Sequence, residues 1–325
     1  MLTQRSKTLL RWVLGISLFA YIVSQLRLEL LATQLATLAF GPLLLSLLAH
    51  FAVRVLVAAK WYFLVRVGDP SFRFVDAVAI HFIGGAAGIA LPLVGVDAVV
   101  GYAYYRHRGQ AGTAISTVLA DRLIGIYTVI FLAAVGLLFN SERFAGMPGL
   151  LWSIFVLVLS ALVGPVVLLW LAKSQALRRR LHLPSRLTWL IKEVVKGFED
   201  LRDRGMPMVL VNVVLSFVTQ LARVLAVLAV AIALHEQPSF LDFTVLTPLV
   251  FLISMVPLTV GGLGFSQGAY IVLFGLVGIA PEVAFVMSIV NAMLTKLTVL
   301  PGVVMLIRGR KPPAAGVKAQ GRAAP

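Results

Sequence analysis

Eight apolar runs divide this chain, each long enough to enter a lipid bilayer, and two of them are broken near their middle. The runs fall at about 10–26, 39–65, 75–104, 112–139, 149–172, 206–234, 243–277 and 282–307. A helix needs roughly 20 consecutive apolar residues to span a bilayer core, so run length points to an all-α polytopic membrane protein. Composition agrees: 60% of the 325 residues are hydrophobic and 13% are charged, about half the charge of a water-soluble domain.

A net charge of +15 would suggest a nucleic-acid face in a soluble chain. Here 21 of the 28 basic residues lie in five hydrophilic stretches between or beyond the runs. That is a topology signal, and no nucleic-acid partner is expected. The chain has no cysteine, which excludes disulfides and thiolate metal sites. Arg5, Lys7 and Arg11 precede an apolar stretch at 12–23, as in a signal peptide, but no small-x-small site follows. The segment reads as a retained first helix.

The broken runs contain GGAAGIALPLVGVDA at 84–98 and VPLTVGGLGFSQGA at 256–269. Loop charge decides how they cross. The stretch 173–205 carries nine basic residues against four acidic ones and belongs in the cytoplasm. Arg66 with Arg73, Arg106 with Arg108, the N-terminal residues and the tail from Arg308 want the same side, whereas the connections 27–38, 140–148 and 235–242 hold few cations and want the other. If every run crossed once, both 104–111 and 173–205 would land outside, against the charge rule. Two re-entrant hairpins and six full spans put every loop where its charge places it. Each broken run holds two half-helices of about 20 Å at 1.5 Å per residue. Pro92 and Gly95 mark the first reversal, and Pro257, Gly261, Gly262 and Gly264 the second.

The order span, span, hairpin, span then occurs twice. RVLVAA at Arg54 matches RVLAVL at Arg223, and LPLVG at Leu91 matches VPLTV at Val256. Three crossings per repeat make the halves, about 8–140 and 148–308, an inverted pair, as in many secondary transporters. The segment 185–204 spaces its apolar residues for one helical face and reads as a cytoplasmic amphipathic helix. The tail 311–325 reads as disordered.

An ionisable side chain at membrane depth costs roughly 2.5 to 3.5 kcal/mol, so each needs a partner or a purpose. Lys60 stands near Trp61, Tyr62 and Arg66 and reads as a snorkelling anchor. Asp121 and Arg122 are adjacent and can serve as a structural ion pair, with each other or with a neighbouring helix. Arg54 and Arg223 occupy matching mid-helix positions with no acid close in sequence. They bind backbone carbonyls, pair with Asp97 or Asp121, or hold an anion. The cations Arg54, Lys60, Arg122, Arg223 and Lys296 outnumber the anions Asp97 and Asp121 by three, which favours an anionic visitor. Half-helices starting at a mid-membrane break add backbone N–H groups and a positive dipole end, suiting a phosphate. Gly261, Gly262, Gly264 and Gln267 line that break. GGLGFSQG lacks the GxGxxG spacing, and GxxxxGK[ST] and HExxH are absent. His50, His81, His107, His182 and His235 lack metal-ligand spacing and read as loop or interface residues. No cofactor or metal is expected.

The LP-x-x-G-x-D segment (Leu91, Pro92, Gly95, Asp97), ADRLIG at 120–125 and the P-x-x-x-G-G-x-G segment (Pro257, Gly261, Gly262, Gly264) resemble the lysylphosphatidylglycerol synthase transmembrane-region family, also described as flippase-like domain proteins. The resemblance covers about residues 5–310. It implies a domain that, in fused members, moves an aminoacylated phospholipid between leaflets. The longest hydrophilic stretch, about 33 residues, is too short for an aminoacyltransferase, so lipid synthesis is not expected. Family sequences place Glu shortly after GGxG where this chain has Gln267, so a carboxylate's role does not carry over.

The expectation is a non-enzymatic flippase of the cytoplasmic (inner) membrane, both termini cytoplasmic, whose partner is a membrane lipid with an anionic headgroup, an anionic phospholipid or a polyprenyl-phosphate carrier. A homo-oligomer is left open. The candidate substrate-binding residues are Arg54, Asp97, Asp121, Arg122, Arg223, Gly261, Gly262, Gly264, Gln267 and Lys296. The alternatives are an intramembrane transferase using Asp97 or Asp121 as base, and a non-catalytic scaffold for envelope synthesis.

Overall fold

A computed structural model describes residues 4–90, 96–146, 205–255 and 258–308, with isolated helical positions at 149, 152, 156, 159, 163, 199, 202 and 203. The LPLVG break at 91–95, Pro257, most of the run 149–172, most of the amphipathic segment 185–204 and the tail 311–325 lie outside the described residues. Every α-helical element among those residues is named here: α1 (Gln4–Gln25), α2 (Leu28–Ala36), α3 (Phe40–Gly68), α4 (Phe74–Ala90), α5 (Val96–Arg108), α6 (Ala111–Phe139), α7 (Ser141–Phe144), α8 (Met206–Ala233), α9 (Phe240–Ser254), α10 (Phe265–Gly275), α11 (Pro281–Leu297) and α12 (Leu300–Ile307).

Among the described residues, four helices are long and apolar enough to cross a membrane: Phe40–Gly68, Gly112–Phe139, Met206–Ala233 and the combined Pro281–Ile307. They coincide with four of the expected spans. A fifth follows if α1 and α2, bent by 91° to each other, count as one. The connection 27–38 was expected to be a loop and is instead mostly helix. Leu28, Leu31 and Leu35 repeat at helical spacing and Glu29 sits in the first turn, where the helix dipole favours an acid. The last span is interrupted at Thr298 and Val299 because Pro301, at the start of α12, has no N–H to return to the preceding turn.

Between the long helices lie two pairs too short to span. At 1.5 Å per residue α4 and α5 measure roughly 25 and 20 Å, and α9 and α10 roughly 22 and 16 Å, against a core of about 30 Å. Each pair is antiparallel. A Cβ at Gly84 would meet Val100 and one at Gly88 would meet Val96. In the second pair, Phe243 lies 4.8 Å from Phe274 by ring centroid and Ser254 Oγ lies 3.2 Å from Ser266 Oγ. The ends of each pair are tied together. Arg108, closing α5, reaches Asp69 (3.2 Å) and Ser71 (3.2 Å), just ahead of α4. Arg143 binds Asp242 at the start of α9 (3.1 Å) and the carbonyl of Val277 beyond α10 (3.3 Å).

The chain forms two compact units: residues 1–56, 123–174 and 213–298 make the first, and 57–122, 175–212 and 299–325 the second. The first is built around Val224, Val230, Leu246, Phe274 and Met287, the second around Trp61, Val65, Ile80, Val100 and Tyr104. Hydrocarbon gives little drive for apolar helices to associate, so close backbone approach at small residues carries much of the packing. In the first unit Gly136 of α6 lies against Thr244 of α9; in the second, Gly302 of α12 lies against the Phe82 carbonyl of α4.

Candidate functional site

In the first unit α3 presents Ser46, His50 and Arg54, each four residues apart and so on one helical face. Each secures a neighbour. Ser46 Oγ donates to the Ala226 carbonyl of α8 (2.8 Å), His50 Nε2 lies 3.0 Å from Asn291 Oδ1 of α11, and Arg54 Nε donates to Thr298 Oγ1 (3.0 Å). From α8, Arg223 donates to Gln220 Oε1 (3.2 Å) and stacks its guanidinium 4.1 Å from the Phe251 ring centroid, a cation–π contact that also holds the planar group in place. Arg223 stands one turn before Ala226, the residue whose carbonyl Ser46 binds, so the two arginines lie on helices that meet at Ser46.

His50 was expected in a loop or interface and instead lies eleven residues into the α3 span. The signal was available: His50 stands one helical turn before Arg54, on the same face.

The glycine turn lies in the same unit. Gly261, Gly262 and Gly264 adopt φ of 64°, 74° and 77°. Gly264 has a second constraint, because a Cβ there would stand 2.8 Å from the Phe19 backbone nitrogen and 2.9 Å from the Gly15 carbonyl of α1. Gln267 is buried and its Oε1 accepts from the Gly264 N–H at 2.7 Å, satisfying a donor that the start of α10 leaves without a helical partner. Gln267→Leu strands that N–H in a buried site and is expected to cost about 1 to 3 kcal/mol. Thermal unfolding in detergent checks this: a lowered midpoint is expected, and an unchanged one removes the capping role.

In the second unit Asp121 and Arg122 each pair with a neighbouring helix, the second of the two arrangements their sequence allows. Lys60 Nζ binds Asp121 Oδ2 at 2.9 Å with side chains 8% and 15% exposed. Asn212 donates to Asp121 Oδ1 (2.9 Å) and to the Lys60 carbonyl (2.8 Å). Lys60 is therefore a buried ion-pair partner and does not snorkel. Arg122 pairs with Asp97 at 3.0 Å, both side chains 47% exposed. Asp121 and Arg122 do not pair with each other because consecutive helical residues point about 100° apart. Arg122 is the twelfth residue of α6, roughly 17 Å from its start. The half-exposed pair borders a groove of about 620 Å³ lined by Asp97, Tyr102, Tyr105, Val118 and Leu119 among others. Neither Asp97 nor Asp121 belongs to the unit that holds Arg54 and Arg223. Lys296 lies exposed on α11. Among the described residues no group of three or more His, Cys, Asp or Glu side chains is arranged to hold a metal ion.

Residues 8–302 match the family model described as the lysylphosphatidylglycerol synthase TM region. A "UPF0104 membrane protein" of Methanothermobacter thermautotrophicus is 24% identical over 284 residues, which cover 78% of this chain and 80% of that protein. No solved structure matches. Family match and several candidate spans together make this a multi-pass membrane protein, and the chain belongs to the lysylphosphatidylglycerol synthase transmembrane-region family.

Proposed function

We propose that the protein moves a lipid with an anionic, phosphate-bearing headgroup between the leaflets of the cytoplasmic membrane by alternating access. The observation that carries this reading is the placement of Arg54 on α3 and Arg223 on α8, span helices joined where Ser46 binds the Ala226 carbonyl. A guanidinium offers paired N–H donors matched to phosphate oxygens. Two of them at membrane depth favour an anion over a cation.

In this reading both helix pairs are re-entrant. Arg108 at Asp69 and Ser71, and Arg143 at both Asp242 and Val277, support a chain that leaves and returns on one face. Loop charge then sets both termini in the cytoplasm, with the first hairpin opening there and the second outside. The inverted repeat also gains support. Phe-x-Asp begins α4 at Phe74 and Asp76, and begins α9 at Phe240 and Asp242. The last helix of each half crosses the first hairpin helix of the other at a glycine, Gly136 on α9 and Gly302 on α4. Such pairs of halves rock about a central site.

The transferase reading loses ground on one observation. Asp97 and Asp121 are each engaged by a cation, and Asp121 by Asn212 as well, which leaves neither poised beside a nucleophile. The test of the proposal is transbilayer movement of tail-labelled lipids in proteoliposomes. Phosphatidylglycerol or a polyprenyl phosphate is expected to flip faster than in protein-free vesicles. Equal rates with and without protein across anionic, zwitterionic and polyprenyl lipids overturn the reading.

A further inference from the structure

We infer that His50 is a proton-binding site coupled to the headgroup site, so that docking of the lipid phosphate between Arg54 and Arg223 draws one proton onto the imidazole. The inference rests on the proposed lipid site and names its coupling ion.

The hydrogen-bond geometry fixes which nitrogen titrates. Nδ1 lies 2.8 Å from the Ser46 carbonyl, which can only accept, so Nδ1 carries a hydrogen in either charge state. Nε2 faces the side-chain amide of Asn291 at 3.0 Å. An amide presents an acceptor or, turned over, a donor at nearly the same position. With neutral His50, Nε2 accepts from the amide nitrogen; with the proton on, Nε2–H donates to the amide oxygen. Asn291 thus satisfies both charge states without moving its backbone. A hydrophobic or charged residue there would favour one of them.

The surroundings supply the coupling. Arg54 follows His50 by one turn on the same face of α3, and Arg223 stands one turn before Ala226, the α8 residue whose carbonyl Ser46 binds. From α11 His50 meets Asn291. Two guanidiniums oppose a third positive charge, and an anion placed between them offsets that opposition. By linkage the effect is reciprocal: a proton on His50 tightens the anion, and the anion tightens the proton. Lipid and proton then cross together without net transfer of charge, so the membrane potential does not oppose the movement. Gln267 has no ionisable group, so the turn itself does not supply this proton.

The experiment is calorimetric binding of short-chain phosphatidylglycerol to the detergent-solubilised full chain near pH 7, in buffers of different ionisation enthalpy. Its phosphodiester stays anionic throughout, so proton uptake reports the protein. Wild type is expected to take up a fraction of one proton per lipid, and His50→Gln to take up none. A second measurement does not depend on the variant binding. In ¹⁵N-histidine NMR of wild type, one imidazole is expected to pass to the doubly protonated form on lipid addition, at the resonance missing from His50→Gln. Saturable binding with no proton uptake, or equal uptake in His50→Gln, overturns the inference and leaves the lipid site standing. Absence of saturable binding to wild type overturns both.

Discussion

Replacing Arg54 and Arg223 together with alanine is expected to reduce phosphatidylglycerol flipping by more than about 100-fold, on losing two charge-assisted hydrogen bonds worth about 1.5 to 3 kcal/mol each. The protein should remain inserted and monodisperse. Neither side chain anchors the hydrophobic core: Arg54 donates to Thr298 near a helix end, and Arg223 lies over Phe251. Their removal takes charge out of the membrane, which helps insertion. Arg→Lys at either site should fall between, because an ammonium keeps the charge and loses the planar fork. Flipping at the wild-type rate in the double variant removes the proposed site.

Gly302→Ala is expected to prevent stable folding. The added Cβ would sit inside the van der Waals envelope of the Phe82 carbonyl and against the Ile83 nitrogen, both backbone atoms within α4. A side chain can swing away from a clash, but the middle of a hydrogen-bonded helix cannot. Over-packing typically costs about 1 to 3 kcal/mol, and a backbone collision of this kind belongs above that range. The measurement is the monodisperse fraction after size exclusion together with the thermal midpoint. Collapse of the folded fraction is expected, and a wild-type midpoint contradicts the crossing of α12 on α4. Gly275→Ala is the control, since a Cβ there meets no atom within 4 Å.

Much of this was readable from local pattern. Run length located four candidate spans, because in hydrocarbon the backbone leaves helix as the main option. The glycine turn at 261–264 announced itself through residues that tolerate positive φ. Arg54 and Arg223 stood out because charge in an apolar run is costly. Partner choice was not readable. Lys60 and Asp121 are 61 residues apart, and Asn212 joins them from another 91 away, a meeting set by packing that no local pattern encodes. Asp97 took Arg122, one residue beyond the neighbour that proximity suggested, because helical phase outranks sequence adjacency. His50 escaped notice as one of five histidines until Arg54, one turn on, proved to share its face. The Phe-x-Asp starts of α4 and α9 stand in the sequence as well, outside the two matches that suggest the repeat.

The proposed re-entry of α4 and α5 bears the whole topology and is tested most directly by accessibility. Because the chain contains no cysteine, single substitutions Arg73→Cys and Arg106→Cys, at exposed positions flanking the pair, give unambiguous labels with a membrane-impermeant maleimide. Reaction of both only when the cytoplasmic face is opened is the predicted result. Labelling of Arg106→Cys from outside intact cells, with Arg73→Cys protected, would mean that the pair crosses the bilayer and would contradict the account.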